Sequence, residues 1–488
     1  MPATPSVEQL ATSTASANKH ERVLDEAARQ LNEKGVLLTS LAEIAAKLGV
    51  TRGAMYYYVE DREDLVFQCY RRAAEITARH LLEASRAGGN AADVLRGFVT
   101  RMLDPNEPEI AAKLGVTRGA MYYYVEDRED LVFQCYRRAA EITARHLLEA
   151  TRAGGTAADV LRGFVTRMLD PNEPEIAARA EIAMLSATQR DTIQGLYDAL
   201  ATRLAHVLET GEREGVLRRC DVEVTARIIL SLVTWAPLAR PWAHAVGPMG
   251  HARLLAAATA TVFEGFSSAA RLPEFQPLDL AALSPPVVSA FDRDAAGQAK
   301  REALLRVASR LFNRKGIDAT SLDEIAAQVG TTKRTLHHHI GSKQDLVAAC
   351  YDRAFRIFFL IKDRMLEHKG SRLDALSAAM HAVALAYPSD ELAPLSPLVG
   401  HGALSPEGQA AFDRNSGLLG DAYHGLIRQG IEEGSIAPID DVEARALMLP
   451  GLLSWLVKED VPRDLAQQRH IAREVANLVA LGLRVAQP

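Results

Sequence analysis

Two segments of the chain, 39–65 and 320–346, share one helical pattern, and this pattern most constrains what the chain can fold into. In the second segment, Ser321 is followed three residues later by a glutamate, the signature of a helix start. Gly330 then predicts a tight turn, and Thr332 can cap the helix after it. Each segment is therefore predicted to hold two short helices joined by a glycine turn.

The first segment follows the same order, with Ser40 and its glutamate, Gly49 at the turn and Thr51 at the second cap. A further helix is predicted after each segment's second helix, opening near Asp61 and Ser342. Two helices with a short glycine turn are the unit that places its second helix in the major groove of DNA. The sequence thus predicts two helix-turn-helix heads in one chain.

The strings at 44–65 (IAAKLGVTRGAMYYYVEDREDL) and 325–346 (IAAQVGTTKRTLHHHIGSKQDL) resemble the recognition segment of the tetracycline-repressor (TetR) family. The resemblance implies an all-α fold of two TetR-like units, each with a three-helix head and a helical ligand-binding and dimerisation body. It implies a ligand-responsive repressor that binds a double-stranded DNA operator and releases it on binding a small-molecule effector. The repressor would act as a homodimer or, here, as a single-chain pseudo-dimer.

The resemblance also implies which residues contact DNA. In the first head they are Thr51, Arg52, Gly53, Tyr56, Tyr57, Tyr58 and Arg62. In the second head they are Thr332, Lys333, Arg334, Thr335, His337, His338, His339 and Lys343. Histidines stand where the first head has tyrosines, which leaves open whether both heads bind the same sequence. Successive helical residues point about 100° apart, so three adjacent histidines are not expected to hold one metal ion.

Charge separates the two predicted heads. Residues 19–62 carry seven basic and seven acidic side chains, whereas residues 293–343 carry ten basic and five acidic ones. The chain as a whole has a net charge of −6, so any attraction to phosphates must be local. We therefore expect the second head to supply more of the nonspecific affinity for DNA and the steeper salt dependence.

A second repeat complicates the first half of the chain. Residues 43–108 and 109–174 differ at two positions only, which indicates a recent internal duplication or an error in the assembled gene. The later copy repeats the turn and recognition helix but not the leading helix of residues 20–33. Its partial head is either a tolerated insertion without DNA function or a third DNA-binding head.

Without one copy, the chain divides into two halves of similar length. Both halves end alike: Asp221 precedes Trp235 by 14 residues, and Asp441 precedes Trp455 by 14. The predicted organisation is a disordered tail (1–18), the first head (19–66), connecting helices (67–108), the duplicated partial head and helices (109–174), the first regulatory body (175–268), a linker (269–296), the second head (297–346) and the second body (347–488).

The two halves are expected to pack through their last helices, which would form a four-helix bundle. These helices are predicted at 221–237, 250–266, 440–457 and 468–485. The three tryptophans, Trp235, Trp242 and Trp455, favour packing in the core or at this seam, and the wall of a ligand pocket is the alternative.

Composition and missing motifs exclude several other classes. The four cysteines form no C-x-x-C pair, and no run of 18 apolar residues occurs, which predicts a cytoplasmic protein without a membrane span. The nucleotide-binding loop, the serine-hydrolase elbow and the H-E-x-x-H zinc motif are absent from the sequence, so we expect no enzyme and no cofactor. The main alternative function is a helical adaptor that has lost DNA binding.

Overall fold

The computed structural model divides the chain into two compact units, residues 1–131 and 132–488. The residues it describes are 22–24, 26–27, 29–30, 40–56, 58–59, 61, 64–65, 68–69, 128–173, 176–177, 179, 182, 185–239, 250–270, 272–280, 293–317, 319–397, 403–457 and 464–485. The predicted tail (1–18), the connecting helices from residue 70 to 108 and the repeated partial head (109–127) lie outside the described residues.

The described part of the first unit is the first head. It has helical stretches at 22–24, 26–27 and 29–30, followed by α1 (Leu41–Leu48) and α2 (Arg52–Met55). Its core is small and apolar, because each helix turns one apolar stripe inwards. Ile44, Met55 and Leu65 are completely buried in this core.

The second unit holds the remaining described helices, apart from residues 128–131 at the start of α3, which belong to the first unit. The first body consists of α3 (Arg128–Ala153), α4 (Ala157–Met168), α5 (Ala187–Glu214), α6 (Val222–Leu238) and α7 (His251–Phe263). The second head consists of α8 (Arg293–Lys315), α9 (Leu322–Gln328) and α10 (Lys333–Ile340). The second body consists of α11 (Lys343–Leu366), α12 (Arg372–Ala386), α13 (Pro406–Glu432), α14 (Val442–Leu447), two 3₁₀ helices (Leu449–Leu452 and Ser454–Val457) and α15 (Leu465–Leu481).

The predicted all-α class is confirmed. The described residues contain no β-strand, and their one β-type pairing is an isolated antiparallel bridge between Ser267 and Ile436. None of the helices in the described ranges is both long enough and apolar enough to cross a membrane.

The later copy of the duplication supplies α3 and α4 to the first body. Leu161 and Phe164 of α4 are completely buried, in the same core as Ile193 and Leu204 of α5. A capping box at Thr156 begins α4, and this threonine is one of the two positions at which the copies differ. Residues 132–168 therefore pack as part of the body.

The predicted helix over 440–457 was wrong in its second half. The α-helical hydrogen bonding ends at Leu447, because Pro450 has no N–H to continue it. The chain continues as 3₁₀ turns, with the Gly451 N–H donating to Met448 O at 3.0 Å. This leaves Leu447 O available, and it accepts a hydrogen bond from Trp235 Nε1 of the other half at 3.0 Å.

The two bodies contact each other through equivalent residues. The Phe266 N–H of the first half donates to Val479 O at 2.9 Å, and the Leu483 N–H of the second donates to Val262 O at 2.8 Å. In the first half the donor Phe266 lies four residues after the acceptor Val262, and in the second half the donor Leu483 lies four residues after the acceptor Val479. The same hydrogen bond is thus made in both directions, as in an isologous interface.

A second reciprocal pair flanks these bonds. Arg253 Nε lies 2.7 Å from Asp441 Oδ2, and His470 Nε2 lies 2.7 Å from Asp221 Oδ2. Asp221 and Asp441 are also equivalent N-caps, of α6 and α14. The hydrogen bonds from Arg253 hold the pKa of Asp441 below its ordinary value. Each half therefore contributes one acidic cap and one basic partner.

A buried histidine in the second body predicts a pH dependence of stability. Burial, and then the charges of Arg473 and Arg469, lower the pKa of His381 from 6.5 to about 4. The unfolded chain therefore binds the proton more readily, so stability falls as pH drops from 6.5 towards 4, by at most about 1.4 kcal/mol per pH unit. Urea unfolding at several pH values measures this slope. His381→Leu should flatten it, and His206→Leu, on the exposed face of α5, should not.

Candidate nucleic-acid interface

The two heads are built on the same internal contacts. Cys69 Sγ lies 3.6 Å from Leu24 O, and Cys350 Sγ lies 3.5 Å from Leu305 O, with the same separation of 45 residues in both heads. All four residues are buried. This thiol-to-carbonyl contact joins the first helix of each head to the helix that leaves it.

The turn between the two short helices is formed as predicted. Gly49 has φ 68° and Gly330 has φ 69°, a left-handed conformation that glycine adopts without strain. Thr51 then accepts a hydrogen bond from Ala54 N–H at 3.2 Å. Thr332 caps the second head's recognition helix in the same way, so both predicted threonine caps are confirmed.

The predicted capping boxes are only partly formed. Ser321 accepts from the Glu324 N–H at 3.0 Å, but the Glu324 carboxylate contacts Lys315. Ser40 stands at the N-cap of α1 without a side-chain capping bond in the described part of the head. A neighbouring cation therefore competes for the Glu324 carboxylate.

In the first head, the residues of the predicted interface differ in exposure. The side chain of Tyr56 is 50 % exposed, whereas Met55 beside it is completely buried. Tyr58 is half-buried and packs against the core of the head, which reduces the reach of its hydroxyl. Thr51 and Gly53 are exposed. Tyr57, Arg62 and the side chain of Arg52 lie outside the described residues.

In the second head, α10 presents a basic, hydroxyl-bearing face. Leu336 fixes the inward side and is completely buried, while Lys333 and Arg334 are exposed. Lys333 Nζ already pairs with Asp323 Oδ2 of α9 at 3.0 Å, a contact that the sequence analysis missed. Thr335 is half-buried, and Lys343 opens the next helix. Arg334 is therefore the most available cation on this face.

The three histidines of α10 have different surroundings. His337 Nδ1 lies 2.7 Å from Gly341 O, a contact that holds its ring against the end of its own helix. The rings of His338 and His339 meet edge to face with centroids 5.5 Å apart. Across the described ranges, no group of three His, Cys, Asp or Glu residues is arranged to hold a metal ion. His338 is exposed, and no contact to the backbone is found for its ring among the described residues, so it is the histidine best placed to contact DNA.

Buried polar contacts fix the second head on its body. Arg353 of α11 reaches Glu302 of α8 and the carbonyls of the loop between α12 and α13. Asn313 of α8 donates to Pro394 O at 2.9 Å and accepts from the Ser396 N–H at 2.8 Å. These residues were not predicted from the sequence, where the available signal was a charged residue, Arg353, within the apolar stripe of α11.

Comparison with known proteins decides the family. The sequence pattern described as "Bacterial regulatory proteins, tetR family" matches residues 23–69 and 304–350, which are the two heads. A second pattern, "Tetracyclin repressor-like, C-terminal domain", matches residues 136–266, the first body. The chain belongs to the TetR family. It is a TetR-family transcriptional regulator with two TetR-like N-terminal units, as its two helix-turn-helix segments predicted.

Individual relatives match about a third of this TetR-family chain. The HTH-type transcriptional regulator AcrR of Shigella flexneri is 27% identical over 173 residues, which cover 33% of this chain and 80% of AcrR. The HTH-type transcriptional repressor BepR of Brucella suis biovar 1 (strain 1330) is 25% identical over 154 residues, covering 32% of this chain and 66% of BepR.

Two solved structures are similar to parts of this chain. PfmR, a TetR-family regulator from Thermus thermophilus, matches with 24% identity and a TM-score of 0.32, over 38% of this chain and 96% of PfmR. AibR in complex with isovaleryl coenzyme A and operator DNA matches with 24% identity and a TM-score of 0.33, over 38% of this chain and 99% of AibR.

Proposed function

We propose that this chain is a sequence-specific DNA-binding repressor whose two heads act together as a single-chain pseudo-dimer. The reciprocal contacts between the bodies carry this proposal. A TetR-like head recurs in the second half, and the hydrogen bonds from Phe266 and Leu483 run in opposite directions between equivalent positions. Such self-complementary pairing is what two copies of one subunit would make. The seam between the halves then takes the place of a homodimer interface.

DNA binding is assigned to residues of each recognition helix and of the helix start that follows it. In the first head these are the exposed Thr51, Gly53 and Tyr56, with Arg52, Tyr57, Tyr58 and Arg62 included by position. In the second head they are Thr332, Lys333, Arg334, Thr335, His337, His338, His339 and Lys343. Because the two sets differ in charge and side-chain type, the two heads would bind unlike half-sites. The DNA partner is then an asymmetric operator rather than a palindrome.

The names of the matched relatives support repression, since BepR is a transcriptional repressor and AcrR a transcriptional regulator. A small-molecule effector completes the proposal. The domain limits predicted from the sequence remain part of the proposal, with the first body extended to include α3 and α4.

Selection of bound duplexes from a random DNA pool tests this function. The full chain should enrich two different half-sites separated by about one helical turn, because two linked heads read successive major grooves. Enrichment of one palindromic site would favour pairing of two chains. No enrichment at low salt would refute DNA binding and leave the adaptor as the explanation. A variant with Thr51, Thr332 and Arg334 changed to alanine is the negative control.

A further inference from the structure

The interface between the two bodies, here called the seam, is not symmetric at its centre, where α6 of the first half contacts the 3₁₀ helices of the second. Ser231 of α6 and Gly451 of the second half are equivalent positions, and they face each other. Ser231 Oγ lies 2.6 Å from Gly451 O and 2.8 Å from Ser454 Oγ. A side chain at Gly451 would lie 2.6 Å from the ring of Trp235, so only the first half can carry a hydroxyl here.

A cavity lies beside Ser231, on one side of this asymmetric contact. Its volume is about 30 Å³, enough for one or two water molecules or the head of a small organic ion. The lining residues come from both halves: Arg179, Tyr197, Ala201, Arg227, Leu230, Ser231, Thr234, Ser454 and Trp455. They include two arginines, four hydroxyl groups and no carboxylate, so the lining favours an anion. Asp198, which pairs with Arg227 at 2.7 Å, stands outside this lining.

One buried donor in the cavity wall has no partner. The side chain of Trp455 is 5 % exposed, and its Nε1 atom lacks a hydrogen-bond acceptor among the described residues. Its equivalent, Trp235, donates to Leu447 O. The α-helix around Arg227 continues unbroken, so its carbonyls stay in the helix and offer no matching acceptor. A buried N–H without an acceptor destabilises the fold, and a bound oxygen atom would supply the missing hydrogen bond.

We propose that this seam cavity binds a small carboxylate, with one oxygen accepting from Trp455 and the charge facing Arg227. The short apolar part of the ligand would lie against Ala201 and Leu230. The site deepens the function proposed above, because it would be the effector site of that regulator. There is one such site per chain rather than two, since the position equivalent to Ser231 is Gly451, which has no hydroxyl, and the equivalent tryptophan, Trp235, already donates to Leu447 O.

The cavity also stands next to the second head. The 3₁₀ helix Ser454–Val457, which supplies Ser454 and Trp455, packs against α8, the first helix of that head. A ligand that displaces this short helix would therefore act on α8 directly. The second head is the one whose response to the carboxylate is expected.

Isothermal titration calorimetry of the full chain with sodium acetate, propionate and butyrate tests the proposal. Acetamide, propionamide and butyramide are the uncharged controls. At least one carboxylate should bind at a stoichiometry of one per chain, and its amide should not. Trp455→Phe should weaken that binding roughly tenfold or more, because a hydrogen bond to a charged group is lost. Trp235→Phe removes an equal volume from the equivalent position and should leave the binding constant unchanged.

Three results would overturn the site. They are no binding of any of the three carboxylates, equal binding of the amides, or equal weakening by the two tryptophan variants. The titration contains no DNA, so its outcome is independent of whether the chain selects an operator. Circular dichroism of both variants checks that each is folded before titration.

Discussion

Gly265→Ala is expected to destabilise the chain by more than about 3 kcal/mol, because the substitution both strains the backbone and separates the two bodies. A Cβ at Gly265 would lie 2.4 Å from Ala480 O of the other half, and the residue has φ 64°. Gly482 faces it with φ 56°, and a Cβ there would lie 2.7 Å from the Gly265 nitrogen. Gly482→Ala should therefore have a similar effect. Urea unfolding followed by circular dichroism measures both.

Gly215→Ala is the matched control. Gly215 ends α5 with φ 70°, and a Cβ there would meet nothing within 4 Å. Its substitution should cost only about 1–2 kcal/mol, the strain of placing an L-residue in the left-handed conformation. If Gly265→Ala and Gly215→Ala were equally destabilising, the close contact between the two bodies would be contradicted.

Arg334→Ala is expected to weaken binding to the selected DNA about tenfold and to lower the slope of log K against log salt by about one. Arg334 is exposed on α10, and among the described residues no ion pair is found for it. Lys333→Ala should have a smaller effect, because Asp323 already neutralises part of that charge. Fluorescence anisotropy at several salt concentrations measures affinity and slope together.

Arg310→Ala removes the same charge from the second head at a different place. Arg310 pairs with Asp390 of the body at 2.7 Å and is not part of the proposed interface. Its loss should leave the salt slope nearly unchanged. A similar decrease for Arg310→Ala and Arg334→Ala would mean that net charge, and not contact from α10, determines binding.

Gly53→Arg extends this test to the first head. Gly53 is the equivalent of Arg334, has an ordinary φ, and would accommodate a Cβ with its nearest neighbour 3.9 Å away. The substitution should steepen the salt slope by about one without unfolding the head.

Local signals in the sequence were sufficient to predict the heads. A threonine cap and a glycine with φ near 70° depend on a few adjacent residues, so Thr51, Gly49 and their equivalents could be identified from the sequence alone. The apolar residues that build each core, such as Ile44 and Leu336, lie at helical spacing, which is a local pattern of the same kind.

Contacts between distant parts of the chain could not be predicted in this way. The pairing of Lys333 with Asp323 depends on how α9 and α10 cross, and the seam at Gly265 depends on residues more than 200 positions away. Pro450 was visible in the sequence, and its effect on the helix over 440–457 should have been predicted. Among the described residues the indole N–H of Trp455 has no acceptor because the facing helix α6 is unbroken, whereas the break at Pro450 supplies one to Trp235. Both outcomes depend on the position of the other half, so the sequence held no direct signal for the cavity.

The mass of the complex between the chain and its selected duplex tests the central claim most directly. Light scattering or native mass spectrometry should find one chain of 53.1 kDa per duplex carrying both half-sites, and the same single chain in the absence of DNA. The seam between the halves would then already fill the role of a dimer interface. Two chains per duplex, with two chains also in free solution, would contradict the single-chain pseudo-dimer.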